Sequence, residues 1–252
     1  MIQSLQNKLI KTVSQLKTAK GRKSEGLYLL EGIKPVAESI ELGLSLEIII
    51  CSEICNRNQL PQHSVVTEVT EKVFKHLTTL ENPEGVISIN RMNRLNITAI
   101  KKKPFLVLCG VQDPGNTGTL IRSADAFGFS QVVFLEGNAD PFSPKATRAS
   151  MGSILRIEAY FGETNELLSL VRSGDCPLIG LDVSSTNEII AKEGLSDFFG
   201  LVVGSESHGI PENILSALTL KIKIPMAKSV ESLNAAIAGS IIMQQIFSKR
   251  KP

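Results

Sequence analysis

The 252-residue sequence predicts an α/β protein in two parts, the second built on a mostly parallel sheet. Two observations carry this prediction. Hydrophobic residues make up 42% and charged residues 21% of the chain, which is enough apolar material for a packed core. From residue 104 onward, short apolar strands alternate with helical patterns, an order typical of parallel sheets covered on both faces. The predicted strands are FLVLCGV, QVVFLEG, PLIGLDV, GLVVGS and LKIKIPM.

The first part, residues 1–95, reads as a small α/β domain, and its residues 1–24 as a polar, basic helix or arm. LYLLEGIKPVAESIELG indicates a strand that enters a helix, with Glu31 and Gly32 at the break. LEIIICS and VISI are further strands, rich in β-branched residues. RMNRLNITAIKKKP is polar and basic and ends in proline, so we expect a linker at 96–103 and a second domain at 104–252.

Several classes of protein are disfavoured by what the sequence lacks. No apolar run reaches the roughly 18 residues of a membrane span, and the N-terminus has no apolar signal-peptide stretch. We therefore expect a cytoplasmic protein with no membrane partner. The cysteines have no CxxC spacing and the three histidines are scattered, so reduced packing cysteines and no metal centre are expected.

Positive charge is concentrated near the N-terminus, although the net charge is only +2. Six basic residues precede Glu25, the first acidic residue, and they include Lys20, Arg22 and Lys23. Such a cluster is either a solvated face or a surface for phosphate contact.

The first segment with unusual chemistry is VQDPGNTGTLIRSADAFG, where a strand ends at Val111 and a helix is predicted to start between Thr117 and Thr119. Asn116 can be an ordinary turn or capping residue. Arg122 can be an ordinary surface arginine, but its helix is apolar on most of its circumference. This placement favours an arginine that faces a polar ligand or a partner subunit.

Two further strand ends carry polar residues, and ligands of α/β sheets bind at such ends. In LVVGSESHGIP a buried strand ends at Gly204, and Glu206 follows in a loop flanked by glycines. The alternative is an ordinary tight turn before a helix that begins at Pro211. We expect His208 to be a loop residue without a catalytic role, and Glu206 to be the functional candidate. In IPMAKSVESLNAAIAGSIIMQQ, Ser232 and Asn234 stand before a helix of small residues, where they can cap the helix or offer hydrogen bonds.

Together and in this order, PGNTGTLIRSADAFG, LVVGSESHGI and IPMAKSVESLNAAIAGSI resemble the three motifs of the SpoU (TrmH-like) branch of the SPOUT methyltransferases. The resemblance spans roughly residues 104–247. SPKATRASMGSILRI resembles a further segment of the family. LLEGIKPVAESI and PEGVISI resemble its substrate-binding domain, which has a ribosomal-protein-like α/β fold.

The resemblance implies a deep trefoil knot in the second domain, a homodimer, and S-adenosylmethionine as methyl donor. It also implies transfer to a ribose 2′-hydroxyl of structured RNA, most readily ribosomal RNA, with no metal. The catalytic residues it implies are Asn116, Arg122, Glu206, Ser232 and Asn234, with Arg122 acting at the subunit interface. The cofactor would be held by Gly204, Ser205, Glu206, Ile224, Met226, Ser232 and Leu233.

Arginine hardly loses its proton in proteins, so we expect Arg122 to bind the ribose or a phosphate and to stabilise the developing negative charge. The proton acceptor is not assigned. RNA contacts are expected at Lys20, Arg22, Lys23, Arg122 and Arg148.

Four alternatives remain open: a transfer-RNA 2′-O-methyltransferase, an antibiotic-resistance ribosomal RNA methyltransferase, a base methyltransferase, and a non-catalytic RNA-binding assembly factor.

Overall fold

A computed structural model describes residues 1–172, 176–182, 185, 197–227, 229 and 232–250. Up to residue 92 the elements are α1 (Lys8–Gln15), α2 (Ala19–Glu25), β1 (Leu27–Glu31), α3 (Ile33–Glu41), β2 (Ser45–Ile50), β3 (Val66–Glu68), α4 (Glu71–Leu77) and β4 (Val86–Arg91). From residue 93 they are β5 (Arg94–Asn96), β6 (Phe105–Cys109), α5 (Pro114–Ala126), β7 (Gln131–Phe134), α6 (Pro144–Ser150), β8 (Glu158–Phe161), α7 (Thr164–Arg172), β9 (Leu178–Leu181), β10 (Gly200–Gly204), α8 (Glu212–Leu215), β11 (Leu220–Ile222) and α9 (Ala235–Arg250). Single 3₁₀ turns lie at Arg57–Gln59, Ile97–Ala99 and Ser153–Leu155.

The chain forms two compact units, and the division differs from the predicted domain boundaries. The first unit contains residues 1–92 together with 140–155, and the second contains 93–139 and 156–252. Residues 96–103 were expected to be a linker, but β5 pairs in parallel with β8 and the 3₁₀ turn that follows buries Ile97. This stretch therefore belongs to the second unit. Its polar residues made it resemble a linker, and Leu95, Ile97 and Ile100, which pack on the core, are its signal of packing.

The first unit has a four-stranded sheet in the order β1-β4-β2-β3, in which β2 and β3 are parallel and the other pairs antiparallel. Its core contains Val13, Ile49, Phe74 and Ile87, so α1 and α4 bury their apolar faces together with the strands. The basic helix or arm expected at the N-terminus forms the two helices α1 and α2, capped by the side chains of Asn7 and Thr18.

Within the first unit, residues 140–155 contact residues 1–92 through polar and aromatic side chains. Asp140 forms an ion pair with Arg22 at 2.7 Å, and Arg22 also donates to the carbonyl oxygens of Leu16 and Lys17. The ring centroids of Tyr28 and Phe142 lie 5.0 Å apart. The Arg22 residue is only 3% exposed, which corrects its expected role in RNA binding. A buried guanidinium with all these partners stabilises the unit and is not available to phosphate.

The second unit is built on a seven-stranded sheet in the order β11-β9-β10-β6-β7-β8-β5, with every pair of neighbouring strands parallel. This confirms the predicted α/β fold with a parallel sheet, and adds the short strands β5 and β8 to those expected. Its strands read as continuous apolar runs because both faces are buried: all of β6 and β7 is buried.

Helices α5 and α9 pack against each other, and small residues permit the approach. A Cβ atom on Gly239 would lie 2.6 Å from the Leu120 side chain and 3.0 Å from that of Val203. The Ser123 and Ser240 hydroxyls share a hydrogen bond of 2.7 Å. The stripe of small residues in α9 therefore fits the helix against α5 and β10.

Candidate active site

The carboxyl end of β6 leads into the first element of the site. Helix α5 begins at Pro114, a few residues before the predicted start, because Asp113 caps it by accepting from the Asn116 backbone N–H at 2.9 Å. Proline at the first helical position is typical, since its missing N–H would have no partner there. This start places Asn116 in the first turn of α5, facing the ends of the neighbouring strands.

The second element is a closed loop at the end of β10. Ser205 and Gly209 exchange two backbone hydrogen bonds of 3.0 Å, so Glu206, Ser207 and His208 project from a tight turn. A Cβ atom on Gly204 would lie 2.2 Å from the backbone carbon of Gly209, so only glycine allows this close return of the chain. Gly209 itself has φ +67°, in the left-handed region.

The third element is the start of α9. The side-chain oxygen of Asn234 accepts from the backbone N–H groups of Ala236 and Ile237 at 2.9 and 3.2 Å, and so caps the helix. Its side-chain nitrogen donates to the side-chain amide oxygen of Asn116 at 3.1 Å. Asn116 in turn donates to the Glu206 carboxylate. One chain of hydrogen bonds therefore links all three predicted motifs.

A cavity of about 410 Å³ lies beside this network, at the carboxyl ends of β9, β10 and β11. This volume is in the range of small-molecule sites. Its walls are mainly aliphatic, from residues such as Val203, Ile210 and Ile222, with polar groups at few points. All the residues expected to hold the cofactor line it: Gly204, Ser205, Glu206, Ile224, Met226, Ser232 and Leu233.

Three further polar residues of the cavity wall were not assigned from the sequence: Asp182, Lys223 and His208. Asp182 directly follows β9, and its side chain is 12% exposed and lies 3.7 Å from the Lys221 ammonium. The rule that located Glu206, a polar residue at the end of a parallel strand, would also have found Asp182. His208 was expected to be a loop residue without a function, whereas it lines the cavity.

Arg122 is placed differently from the other predicted catalytic residues. It is exposed on α5, it does not line the cavity of its own chain, and within the described part of the chain it has no ion pair or side-chain hydrogen bond. Helix α9, which packs against α5, exposes 52% of Ile237. Of the remaining expected RNA contacts, Lys20 and Lys23 are exposed on α2, and Arg148 donates to the Thr79 hydroxyl at 2.6 Å in the first unit.

The cysteines do not contribute a nucleophile, because all four are buried. Cys109 is the last residue of β6, next to the site, and burial together with the nearby Glu136 raises its pKa to about 11. A thiol with this pKa stays protonated at neutral pH and reacts slowly. Within the described residues, no three metal-ligating side chains cluster, and no helix has the length and apolar character to cross a membrane.

Comparison with known proteins places these features in a family. Residues 103–244 match the SpoU rRNA Methylase family, and residues 7–88 match the MRM3-like substrate binding domain. A 23S rRNA (guanosine(2553)-2'-O)-methyltransferase of Bacillus subtilis is 29% identical over 97% of this chain and 98% of its own length. A crystal structure of an AdoMet-bound rRNA methyltransferase from Sinorhizobium meliloti superposes with a TM-score of 0.88, at 26% identity over 100% of this chain and 98% of that one. With more than half of its residues inside the first match, the chain belongs to the SpoU rRNA methylase family.

Proposed function

We propose that this protein transfers a methyl group from S-adenosylmethionine to a ribose 2′-hydroxyl of ribosomal RNA. The observation that carries the proposal is the hydrogen-bonded network of Asn116, Glu206 and Asn234 beside a cavity lined by the residues expected to hold the cofactor. The relatives support the choice of acceptor, since the Bacillus subtilis protein is named for 2′-O-methylation of 23S rRNA.

The cavity suits the chemistry of the cofactor. Aliphatic side chains such as Ile210, Ile222 and Leu233 offer an apolar wall for an adenine ring. Asp182, Lys223 and Ser232 offer hydrogen-bonding and charged groups for the ribose and the amino-acid end of the cofactor. When bound, S-adenosylmethionine supplies an electrophilic methyl group on a sulfonium sulfur.

The hydrogen-bonded network of Asn116, Glu206 and Asn234 would orient the ribose hydroxyl that accepts the methyl group. Asn116 uses its amide nitrogen on Glu206 and its amide oxygen on Asn234, so its side chain has one fixed orientation. A site held in this way aligns the ribose hydroxyl with the methyl donor at little further cost in entropy. Ser232, exposed at the rim of the cavity, can also donate a hydrogen bond to the ribose of the RNA.

Arg122 would complete the site of a partner subunit in a homodimer. Its guanidinium is exposed and unpaired among the described residues, and it does not line the cavity of its own chain. Arginine stays protonated, so it would bind the ribose or an adjacent phosphate and stabilise negative charge on the attacking oxygen. Ile237, exposed at the start of α9, would be covered in the same interface.

The first unit would bind RNA through exposed lysines such as Lys20 and Lys23 and through Arg148. The trefoil knot and a cytoplasmic location stay predictions from the family resemblance and the sequence.

Calorimetry with S-adenosylmethionine tests the cofactor site directly. The wild type should bind one molecule per chain, whereas Gly204→Ala should lose binding because the new Cβ meets the Gly209 backbone. Gly128→Ala is the control for destabilisation alone: Gly128 also lies in the second unit, a Cβ there meets nothing within 4 Å, but φ +79° strains any residue other than glycine. It should lower the melting temperature and keep cofactor binding. Absence of heat from the folded wild type would contradict the proposal and favour a non-catalytic RNA-binding factor.

A further inference from the structure

The side-chain amide of Asn138 ties together the ends of two neighbouring strands and the loop that leads to the candidate site. Its nitrogen donates to the carbonyl oxygens of Leu108, in β6, and of Leu135, directly after β7, each over 2.7 Å. Its oxygen accepts from the Val111 backbone N–H, also over 2.7 Å. Both donors and one acceptor site of the amide are therefore used on backbone groups.

Val111 is the point at which the chain leaves the sheet toward α5. It is fully buried, and its carbonyl oxygen accepts from the Ala139 N–H at 2.9 Å, so residues 138 and 139 hold both of its backbone polar groups. Gly110, with φ +73°, makes the turn between β6 and Val111. Two residues after Val111, Asp113 caps α5, and Asn116 follows in the first helical turn.

We propose that Asn138 is a positioning residue for methyl transfer. It fixes the path of residues 110–113 and thereby the first turn of α5, which carries Asn116 into contact with Glu206 and Asn234. Asn138 itself is outside both the cavity wall and this network. The inference rests on the proposed function and adds a residue that acts through Asn116 on the alignment of the acceptor hydroxyl.

The other end of β7 offers a matched control. Gln131 is fully buried, and its side chain donates to the carbonyl oxygens of Lys101 and Lys103 at 3.1 and 3.3 Å and accepts from the Lys101 N–H at 2.8 Å. Gln131 thus makes as many hydrogen bonds to backbone groups as Asn138 does. It lies at the opposite end of β7, which is the end of the sheet far from the candidate site. A purely structural role would make the two amides equivalent.

The experiment compares Asn138→Ala, Asn138→Ser and Gln131→Ala with the wild type. Asn138→Ser is uncharged, and its hydroxyl can still donate one hydrogen bond and accept one, so it serves if Asn138→Ala does not fold. Single-turnover methyl transfer to ribosomal RNA is measured at saturating RNA and cofactor, at a temperature where melting curves show each variant folded. Calorimetry gives the affinity for S-adenosylmethionine, and hydrogen exchange reports on residues 110–119.

We expect the Asn138 variants to lower the single-turnover rate about 10- to 100-fold, with cofactor affinity within about twofold of the wild type. Exchange of the 110–119 amides should accelerate in these variants alone. Gln131→Ala should lower the melting temperature but transfer at close to the wild-type rate. Equal rates for folded Asn138 and Gln131 variants, or unchanged exchange at 110–119, would overturn the inference. A wild type that leaves RNA unlabelled would instead contradict the proposed function, while the exchange comparison would still decide whether Asn138 restrains the loop.

Discussion

Asn234 donates its side-chain N–H to the side-chain amide oxygen of Asn116 over 3.1 Å, although 118 positions separate the two residues in the sequence. The contact joins the first turns of α5 and α9, which lie side by side. Asn234 has two separable tasks, since its oxygen caps α9 and its nitrogen orients Asn116. Substitutions can remove one task and keep the other.

Asn234→Asp should preserve stability and impair methyl transfer. Aspartate caps helices about as well as asparagine, so the free energy of unfolding should change by less than about 0.5 kcal/mol. The carboxylate has no proton to donate to Asn116, so the transfer rate should fall. Denaturant unfolding and single-turnover transfer measure the two effects. A variant with wild-type rate would remove the contact with Asn116 from the mechanism.

Arg122→Ala should abolish methyl transfer and leave the affinity for S-adenosylmethionine nearly intact, because Arg122 does not line the cavity of its own chain. Arg172→Ala, which removes an exposed arginine of α7, serves as control and should remain active. Single-turnover assays and calorimetry provide the measurements. Wild-type turnover by Arg122→Ala would exclude the arginine from the reaction.

Lys20 and Lys23 should contact RNA phosphates. Replacing both with glutamine should weaken RNA binding and reduce the slope of log affinity against log salt by about 0.7 to 0.9 per lysine. Filter binding over a salt series gives the slope. Lys75→Gln is the control, because Lys75 is exposed in the same unit but paired with Glu71. If the double variant keeps the wild-type slope, the two lysines are only solvated.

Arg22→Gln should act on stability. Removing the buried guanidinium leaves the Leu16 and Lys17 carbonyl oxygens and the partly exposed Asp140 carboxylate without their donor, which should cost about 1–3 kcal/mol. Lys23→Gln, one position along the same helix, should change the unfolding free energy by less than about 0.5 kcal/mol. Denaturant unfolding of both variants tests the difference. Equal stabilities would mean that the Arg22–Asp140 pair contributes little.

The sequence predicted those parts of the protein in which the residue types of a short segment already indicate where the segment lies in the fold. The apolar runs that became β6, β7, β9, β10 and β11 were recognisable because a buried parallel strand needs apolar residues on both faces. Asn116, Glu206 and Asn234 were recognisable because polar residues that follow buried strands gather at one edge of a sheet.

What the sequence left undetermined depends on distant partners. Arg22 stood in a run of basic residues, and only the position of Asp140, 118 residues later, shows that it is buried. The strand β5 (RLN) has a single apolar residue and β8 (EAYF) begins with a charged one, so neither shows the longer apolar run that marked the other strands. Asn138 resembled a loop asparagine, since its three backbone partners become neighbours only when β6 and β7 pair.

The most direct test of the proposed function is transfer of a labelled methyl group from S-adenosylmethionine to purified ribosomal RNA, followed by alkaline hydrolysis. A 2′-O-methyl group blocks attack of that oxygen on the adjacent phosphodiester, so the label should appear in alkali-resistant dinucleotides at one position. Arg122→Ala should give no label. Label recovered on a base in mononucleotides, or no label from a wild type that binds the cofactor, would contradict the proposal that the three motifs form a ribose methyltransferase site.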